Sequence, residues 1–191
     1  MNFDYFDIHS HLNFKDFDVD REEIIAQMKQ EKVATITIGT DLKTSQEAVA
    51  LADAHENLFA AIGLHPADNE SEVFNKEDYL ELVKNPKVVA IGECGLDYFH
   101  VEGEERRALQ KKQFEAQIDF AVEHNKPLMI HCRDAYPDCI EILQAKQKQY
   151  GENVRGNFHF FTSPIEIAKQ CLDIGFTVSF TGPITFTTQY D

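Results

Sequence analysis

The chain has 191 residues, of which 43% are hydrophobic, and it carries a formal net charge of -15. A chain of this length can bury one sizeable core, so we predict a single domain over residues 1–191. The excess of acidic residues excludes a protein that coats nucleic acid through a broad basic face. The sequence has no long apolar window and no secretory signal, which predicts a cytoplasmic protein with no membrane partner.

Short apolar runs alternate with amphipathic segments along the whole chain. The runs are residues 2–8, 33–39, 58–64, 88–92, 127–130, 154–158 and 176–180. Residues 21–32, 45–56, 77–84, 104–124, 135–148 and 165–174 place apolar side chains three or four positions apart, which predicts helices. Thr44 with Glu47 is a start signal for the second of these helices. Alternation of strand and helix predicts an α/β fold with a parallel sheet.

The first run ends in two histidines, His9 and His11. Because strand side chains alternate, the two imidazoles point to the same side, about 7 Å apart along the chain. Two imidazoles so placed can share a metal ion. A pair of histidines at a strand end can also make ordinary hydrogen bonds, so the pair does not decide the matter alone.

Three later runs also end in potential metal ligands. Glu93 follows the fourth run, His131 the fifth and His159 the sixth. Taken singly, Glu93 could be a solvated acid, and His159 could be a satisfied core residue among aromatic neighbours. The prediction of a metal centre therefore rests on the set.

Arg133 lies two residues beyond His131 and faces the same way if the strand continues. Its planar guanidinium could grip a phosphate group through two parallel hydrogen bonds. A surface salt bridge to Asp134 or Asp138 is the alternative interpretation.

The proposed ligands follow the first, fourth, fifth and sixth runs, and only a ring of strands brings those positions around one centre. We therefore predict a TIM-type (β/α) barrel rather than an open doubly wound sheet. The open sheet is also disfavoured because the sequence has no glycine-rich dinucleotide-binding loop and no Walker-type loop. A full barrel takes about 250 residues, so the barrel would be truncated after about the seventh strand.

Five motifs, in order, resemble those of the TatD-related metal-dependent deoxyribonucleases, a family with amidohydrolase-like barrels. They are FDIHSHL (residues 6–12), GLHP (63–66), IGECGLD (91–97), IHCR (130–133) and FHFF (158–161). The resemblance implies these metal ligands: His9 and His11 for one ion, Glu93 as the catalytic carboxylate that bridges two ions, and His131 and His159 for the second. It further implies that His65 and Arg133 contact substrate phosphates.

The end of the chain departs from the family pattern. The resemblance implies a final strand with a Glu-Thr-Asp segment that supplies a catalytic aspartate, and no such segment precedes Asp191. We therefore expect the sequence to be a fragment of a longer protein. Such a fragment is expected to bind metal weakly and to cut slowly or not at all.

The activity implied by the resemblance is phosphodiester hydrolysis at a two-metal site by a 3'-5' exonuclease-type deoxyribonuclease, with single-stranded DNA or strand ends as substrate. Two alternatives stay open: an amide- or ester-cleaving barrel hydrolase such as a D-aminoacyl-tRNA deacylase, and a catalytically impaired metal-binding fragment. The resemblance implies Mg²⁺, whereas histidine ligands favour Zn²⁺, Mn²⁺, Co²⁺ or Ni²⁺.

Overall fold

The computed structural model describes residues 2–68 and 72–186. Strands and helices alternate through them as β1 (Tyr5–Ser10), α1 (Arg21–Gln30), β2 (Val33–Ile38), α2 (Leu42–Ala54), β3 (Leu58–Ile62), α3 (Lys76–Val83), β4 (Val88–Asp97), α4 (Glu104–Glu123), β5 (Leu128–Arg133), α5 (Tyr136–Tyr150), β6 (Gly156–Phe158), α6 (Ile165–Asp173) and β7 (Thr177–Val178). Single 3-10 turns lie at Lys15–Phe17, Gly151–Asn153 and Gly182–Thr185. No helix in the described ranges is long and apolar enough to cross a bilayer.

The seven strands form one parallel sheet that curls into a half-barrel, which confirms the predicted TIM-type architecture. Each strand pairs in parallel with the next one along the chain, in the order β1 to β7. Because all strands run the same way, their C-terminal ends meet at one rim of the half-barrel. In the described part of the chain, β1 and β7 are the two edges of the sheet.

The sheet is buried on both faces by two separate apolar clusters. The larger cluster packs the helices against one face and includes Ile91 and Ile130. The smaller one lies on the face turned away from the helices and includes Ala90 and Met129. Neighbouring residues of a strand thus belong to opposite clusters, as the alternation of strand side chains requires. This two-sided burial explains why the strands appear in the sequence as nearly continuous apolar runs.

Strand β4 continues five residues beyond the predicted end at Gly92 and reaches Asp97. Residues 94–97 pair in register with residues 130–133 of β5, so the hydrogen-bonded ladder continues where the apolar pattern stops. Gly92 and Gly95 have φ angles of 151° and 137°, which their lack of a Cβ permits. Glu93 and Asp97 consequently lie within the strand and not in a loop after it.

Helix α2 begins three residues before the predicted start. Asp41 is its N-cap, and its carboxylate accepts a hydrogen bond from the Thr44 backbone N–H at 2.7 Å. The Asp41 N–H in turn donates to the Thr44 hydroxyl at 2.9 Å. Thr44 is therefore the third helical residue of a reciprocal capping box, and its prediction as the start signal was wrong.

We expect Gly95→Ala to destabilise the fold by at least about 2 kcal/mol. A Cβ at Gly95 would lie 2.0 Å from the carbonyl oxygen of His131, so β4 would have to move away from β5. Urea unfolding measures the loss. The matched control is Gly103→Ala, at a φ of 94° with nothing within 4 Å of the added Cβ, for which we expect a loss of about 1 kcal/mol. Equal losses in the two variants would contradict this account of Gly95.

Candidate metal centre

The carboxylate of Glu93 is the centre of the site. The residue is 4% exposed, and imidazole nitrogens approach both of its carboxylate oxygens. Three nitrogens lie near Oε1: His159 Nε2 at 2.6 Å, His131 Nδ1 at 3.2 Å and His65 Nε2 at 3.5 Å. Two lie near Oε2: His9 Nε2 at 3.5 Å and His11 Nε2 at 3.6 Å. The structure thus brings all the predicted metal ligands to one point, together with His65.

These side chains meet because each lies in the C-terminal half of its strand or just beyond the strand's end. His9 is near the end of β1 and His11 directly follows it. His131 lies in β5, and His159 follows β6 by one residue. His65 is on the segment after β3. The common rim of a parallel barrel is the place where such strand ends converge.

The side chains fall into two potential ligand groups that share Glu93. One group is His9, Glu93 and His159, and the other is His65, Glu93 and His131, with the ligand atoms of each group within 4.8 Å of one another. A carboxylate common to both groups is placed where it could bridge two ions.

The histidines lie around the carboxylate in the two predicted pairs. His9 and His11 face Oε2, and His131 and His159 face Oε1. The ring of His9 also stacks on that of His159 at a centroid distance of 3.8 Å, so the two pairs are in contact. His65, predicted as a phosphate contact, lies beside His131 on the Oε1 side of the carboxylate.

The donor chemistry of the site fits a divalent metal ion. His9 Nε2 and His11 Nε2 are 3.1 Å apart, so without a cation one of them must carry a proton to avoid opposing lone pairs. His9 Nδ1 is buried and has no hydrogen-bond partner in the described residues. Several imidazole nitrogens with one carboxylate oxygen match Zn²⁺, Mn²⁺, Co²⁺ or Ni²⁺ better than Mg²⁺, which prefers oxygen ligands.

The protonation states of Glu93 and His159 suit metal binding. Burial by itself raises the pKa of Glu93, but the charge of His159 and hydrogen bonds from the surrounding histidines outweigh it and hold the pKa well below its ordinary value. Burial lowers the pKa of His159 to about 4, and it also lowers the pKa of His11. At neutral pH the site therefore presents an ionised carboxylate, and the imidazoles of His159 and His11 are neutral with available lone pairs.

Asp97 holds His131 in place. Its fully buried carboxylate lies 2.8 Å from His131 Nε2 and 2.8 Å from His100 Nδ1, and it accepts hydrogen bonds from the backbone N–H groups of Phe99 and His100. With Nε2 held by Asp97, His131 directs Nδ1 toward Glu93. A carboxylate behind a histidine fixes the orientation of a metal-binding imidazole in this way.

Arg133 is the last residue of β5, so the condition under which it faces the same side as His131 is met. The alternative salt bridge is not formed: Asp138 instead binds Lys111 at 2.7 Å, and in the described ranges no carboxylate oxygen lies within 4.0 Å of the Arg133 guanidinium. The guanidinium lies over the ring of Phe99, 4.2 Å from its centroid.

We expect the stability of the metal-free protein to fall as the pH rises from 6.5 to 9. Burial lowers the pKa of His131, but hydrogen bonds to Asp97 and Glu93 outweigh it and raise the pKa to about 9. A basic group whose pKa is higher in the folded protein than in the unfolded chain stabilises the fold. The full stabilisation is present at pH values below the unfolded pKa, and it is lost as the pH rises through the folded pKa. The loss should reach up to about 3 kcal/mol, measured by urea unfolding in EDTA. His131→Gln should remove this pH dependence, and an unchanged slope in that variant would contradict the assignment.

We also expect Asp97→Asn to weaken Zn²⁺ binding about 10- to 100-fold, because an amide no longer fixes the tautomer of His131. Isothermal titration of the metal-stripped protein measures the affinity. Asp119→Asn is the matched control, since Asp119 binds Lys146 away from the site, and it should leave the affinity unchanged. Wild-type affinity in Asp97→Asn would show that Asp97 does not position the ligand.

Comparison with known proteins identifies the relatives of the chain. The model of the family described as TatD related DNase matches residues 6–191. The chain is 41% identical over 185 residues to the uncharacterized metal-dependent hydrolase YabD of Bacillus subtilis, covering 95% of this chain and 70% of YabD. It is 34% identical over 182 residues to the 3'-5' ssDNA/RNA exonuclease TatD of Escherichia coli, covering 93% of this chain and 67% of TatD.

The fold also agrees with solved structures. The crystal structure of YjjV, a TatD homologue from Escherichia coli, superposes with a TM-score of 0.79 at 25% sequence identity, covering 91% of this chain and 66% of YjjV. The chain thus spans about two thirds of the length of these relatives. On the family match and the identity to its relatives, the chain belongs to the TatD-related DNase family of metal-dependent hydrolases.

Proposed function

We propose that the chain is part of a phosphodiesterase that removes nucleotides from the 3' end of single-stranded DNA at a two-metal centre. The observation that carries this proposal is Arg133, a cation without a carboxylate partner in the described residues, at the same rim as Glu93. A hydrolase for neutral esters or amides has no need of such a cation beside its ligands. The names of relatives as 3'-5' ssDNA/RNA exonucleases support the choice of substrate.

Divalent ions held by the two ligand groups would supply Lewis acidity and stabilise negative charge on the phosphate. The residues of the chain prepare the site for this. Glu93 is ionised, His159 is neutral, and Asp97 keeps His131 turned toward the carboxylate. Arg133 can then orient a phosphate by two parallel hydrogen bonds, since its guanidinium already lies over the ring of Phe99.

The charge of the chain favours strand ends over long duplexes. With a net charge of -15, the protein surface repels the closely spaced phosphates of double-stranded DNA. Attraction is confined to the rim, where bound divalent cations and Arg133 reverse the local potential. A single strand can bring one phosphate to this point while the rest of the molecule stays in solvent.

We expect the metal-stripped protein, reloaded with single divalent ions, to shorten single-stranded DNA slowly from its 3' end, since no Glu-Thr-Asp segment precedes Asp191. A strand labelled at its 5' end should give a descending ladder of products, whereas a label at the 3' end should appear in the first product, a mononucleotide. Gel analysis across Mg²⁺, Mn²⁺, Co²⁺, Ni²⁺ and Zn²⁺ identifies the active ion. A protein that binds these ions but cleaves no phosphodiester bond in any of them would contradict the proposal.

We expect Arg133→Ala to lower the rate of single-stranded DNA hydrolysis at least about tenfold, because the phosphate loses a charge-assisted bidentate partner. Metal content should stay at the wild-type level. Arg133→Lys should recover only part of the rate, since an ammonium group lacks the planar pair of donors. The matched control is Arg155→Ala, whose guanidinium binds Asn125, and it should retain activity. Full activity in Arg133→Ala would instead favour the amide- or ester-cleaving alternative.

A further inference from the structure

We propose that Phe99, Arg133 and His100 form a rim platform on which an unpaired nucleobase at the 3' end of the substrate strand stacks. This inference rests on the proposed function and specifies how the substrate is held. The base would lie against the open part of the Phe99 ring while Arg133 binds the phosphate beside it.

The first observation is how the Phe99 ring is held. Phe99 is the second residue after β4 and is 56% exposed, which by itself is ordinary for a single apolar side chain. However, this ring is fixed on two sides. The Arg133 guanidinium lies over it at 4.2 Å, and the His100 ring meets it edge to face at 4.8 Å and 85°. The part of the ring left open to solvent is therefore a rigid aromatic surface.

The second observation is the state of Arg133. A guanidinium that stacks on a ring uses its face and leaves the N–H donors at its edge available. No carboxylate of the described residues takes up those donors. The platform thus presents a planar cation that lies over one part of an aromatic ring whose remainder is open. A nucleotide presents the complementary pair, an anionic phosphate and a flat base.

The third observation is that the platform is connected to the metal centre by hydrogen bonds. His100 Nδ1 lies 2.8 Å from Asp97 Oδ2, and the same oxygen lies 2.8 Å from His131 Nε2. Asp97 of β4 also pairs in register with Arg133 of β5, which fixes the backbone of Arg133 relative to β4. The platform is therefore positioned relative to the ligands before the substrate arrives, which reduces the entropy lost on binding.

Stacking on Phe99 would select unpaired bases. A base within a duplex has both faces covered by its neighbours and must be unstacked before it can meet a protein ring. A base at a single-stranded end has an open face. Because every base has such a face, recognition of this kind tolerates any sequence. The platform thus explains a preference for single-stranded ends without contacts to base edges.

The test is binding of a fluorescein-labelled oligothymidylate with a phosphorothioate backbone, which resists hydrolysis, measured by fluorescence anisotropy in Mn²⁺. A second oligonucleotide is identical but lacks the bases at its last two 3' positions. The proteins are wild type, Phe99→Ala, Phe99→Trp and the control Tyr5→Ala, which removes a 70% exposed aromatic side chain at the start of β1, away from the rim. Circular dichroism and thermal melting check that each variant is folded.

We expect Phe99→Ala to weaken binding of the complete oligonucleotide about tenfold or more. Phe99→Trp should bind within about twofold of wild type, because indole also stacks on bases. Wild type should bind the abasic oligonucleotide as weakly as Phe99→Ala binds the complete one. Phe99→Ala should bind both oligonucleotides equally. Tyr5→Ala should behave as wild type.

Three outcomes would overturn the platform. They are unchanged binding in Phe99→Ala, an equal loss on both oligonucleotides, and a loss in Phe99→Trp as large as that in Phe99→Ala. If one of these outcomes is found while wild type still shortens an ordinary single-stranded oligonucleotide, the platform is contradicted and the proposed function is not. If wild type neither binds nor shortens any oligonucleotide, the proposed function fails as well.

Discussion

The site depends on one constraint, namely that an ionised carboxylate, Glu93, is buried inside the rim of the half-barrel. A buried charge without partners costs several kcal/mol, so the surrounding residues must compensate it. The imidazoles within 2.6–3.6 Å do this in part, and divalent cations would do it fully. To bring so many rings to one carboxylate, strand ends must converge and β4 must approach β5 closely. That approach is possible because Gly95 places no side-chain atom against the carbonyl oxygen of His131.

The histidines around Glu93 are not equivalent, and the difference couples metal binding to pH. His159 and His11 have lowered pKa values and are ready to bind a cation. His131 lies between Glu93 and Asp97 and retains a proton up to a pKa of about 9. A cation that binds Nδ1 of His131 must displace that proton, so one ligand group binds metal with proton release near neutral pH. His159, whose pKa is lowered, does not carry this penalty, so the imidazoles around Glu93 differ in the proton release that cation binding requires.

Much of this arrangement follows from local sequence patterns. Apolar runs and amphipathic segments identify the strands and helices, and the C-terminal ends of parallel strands must lie at one rim, so ligands such as His131 and His159 were predictable. The parts that were not predictable depend on register between strands. Glycines interrupt the apolar pattern of β4, so the sequence alone does not show that Asp97 is still in the strand beside Arg133. The contact of Asp97 with His131 and the stack of Arg133 on Phe99 both follow from that hidden pairing.

The acidic composition of the chain and its proposed anionic substrate are compatible because the two act over different distances. At physiological ionic strength charges are screened over about 8 Å, so acids on the outer helices act weakly at the rim. Within contact distance the balance is set by Arg133, by the ionised Glu93 and Asp97, and by whatever cations the ligand groups hold. Without metal ions, Arg133 and the protonated His131 only balance the charges of the two carboxylates. Two bound divalent ions would make the local charge positive. Metal binding would therefore control substrate binding as well as the chemical step.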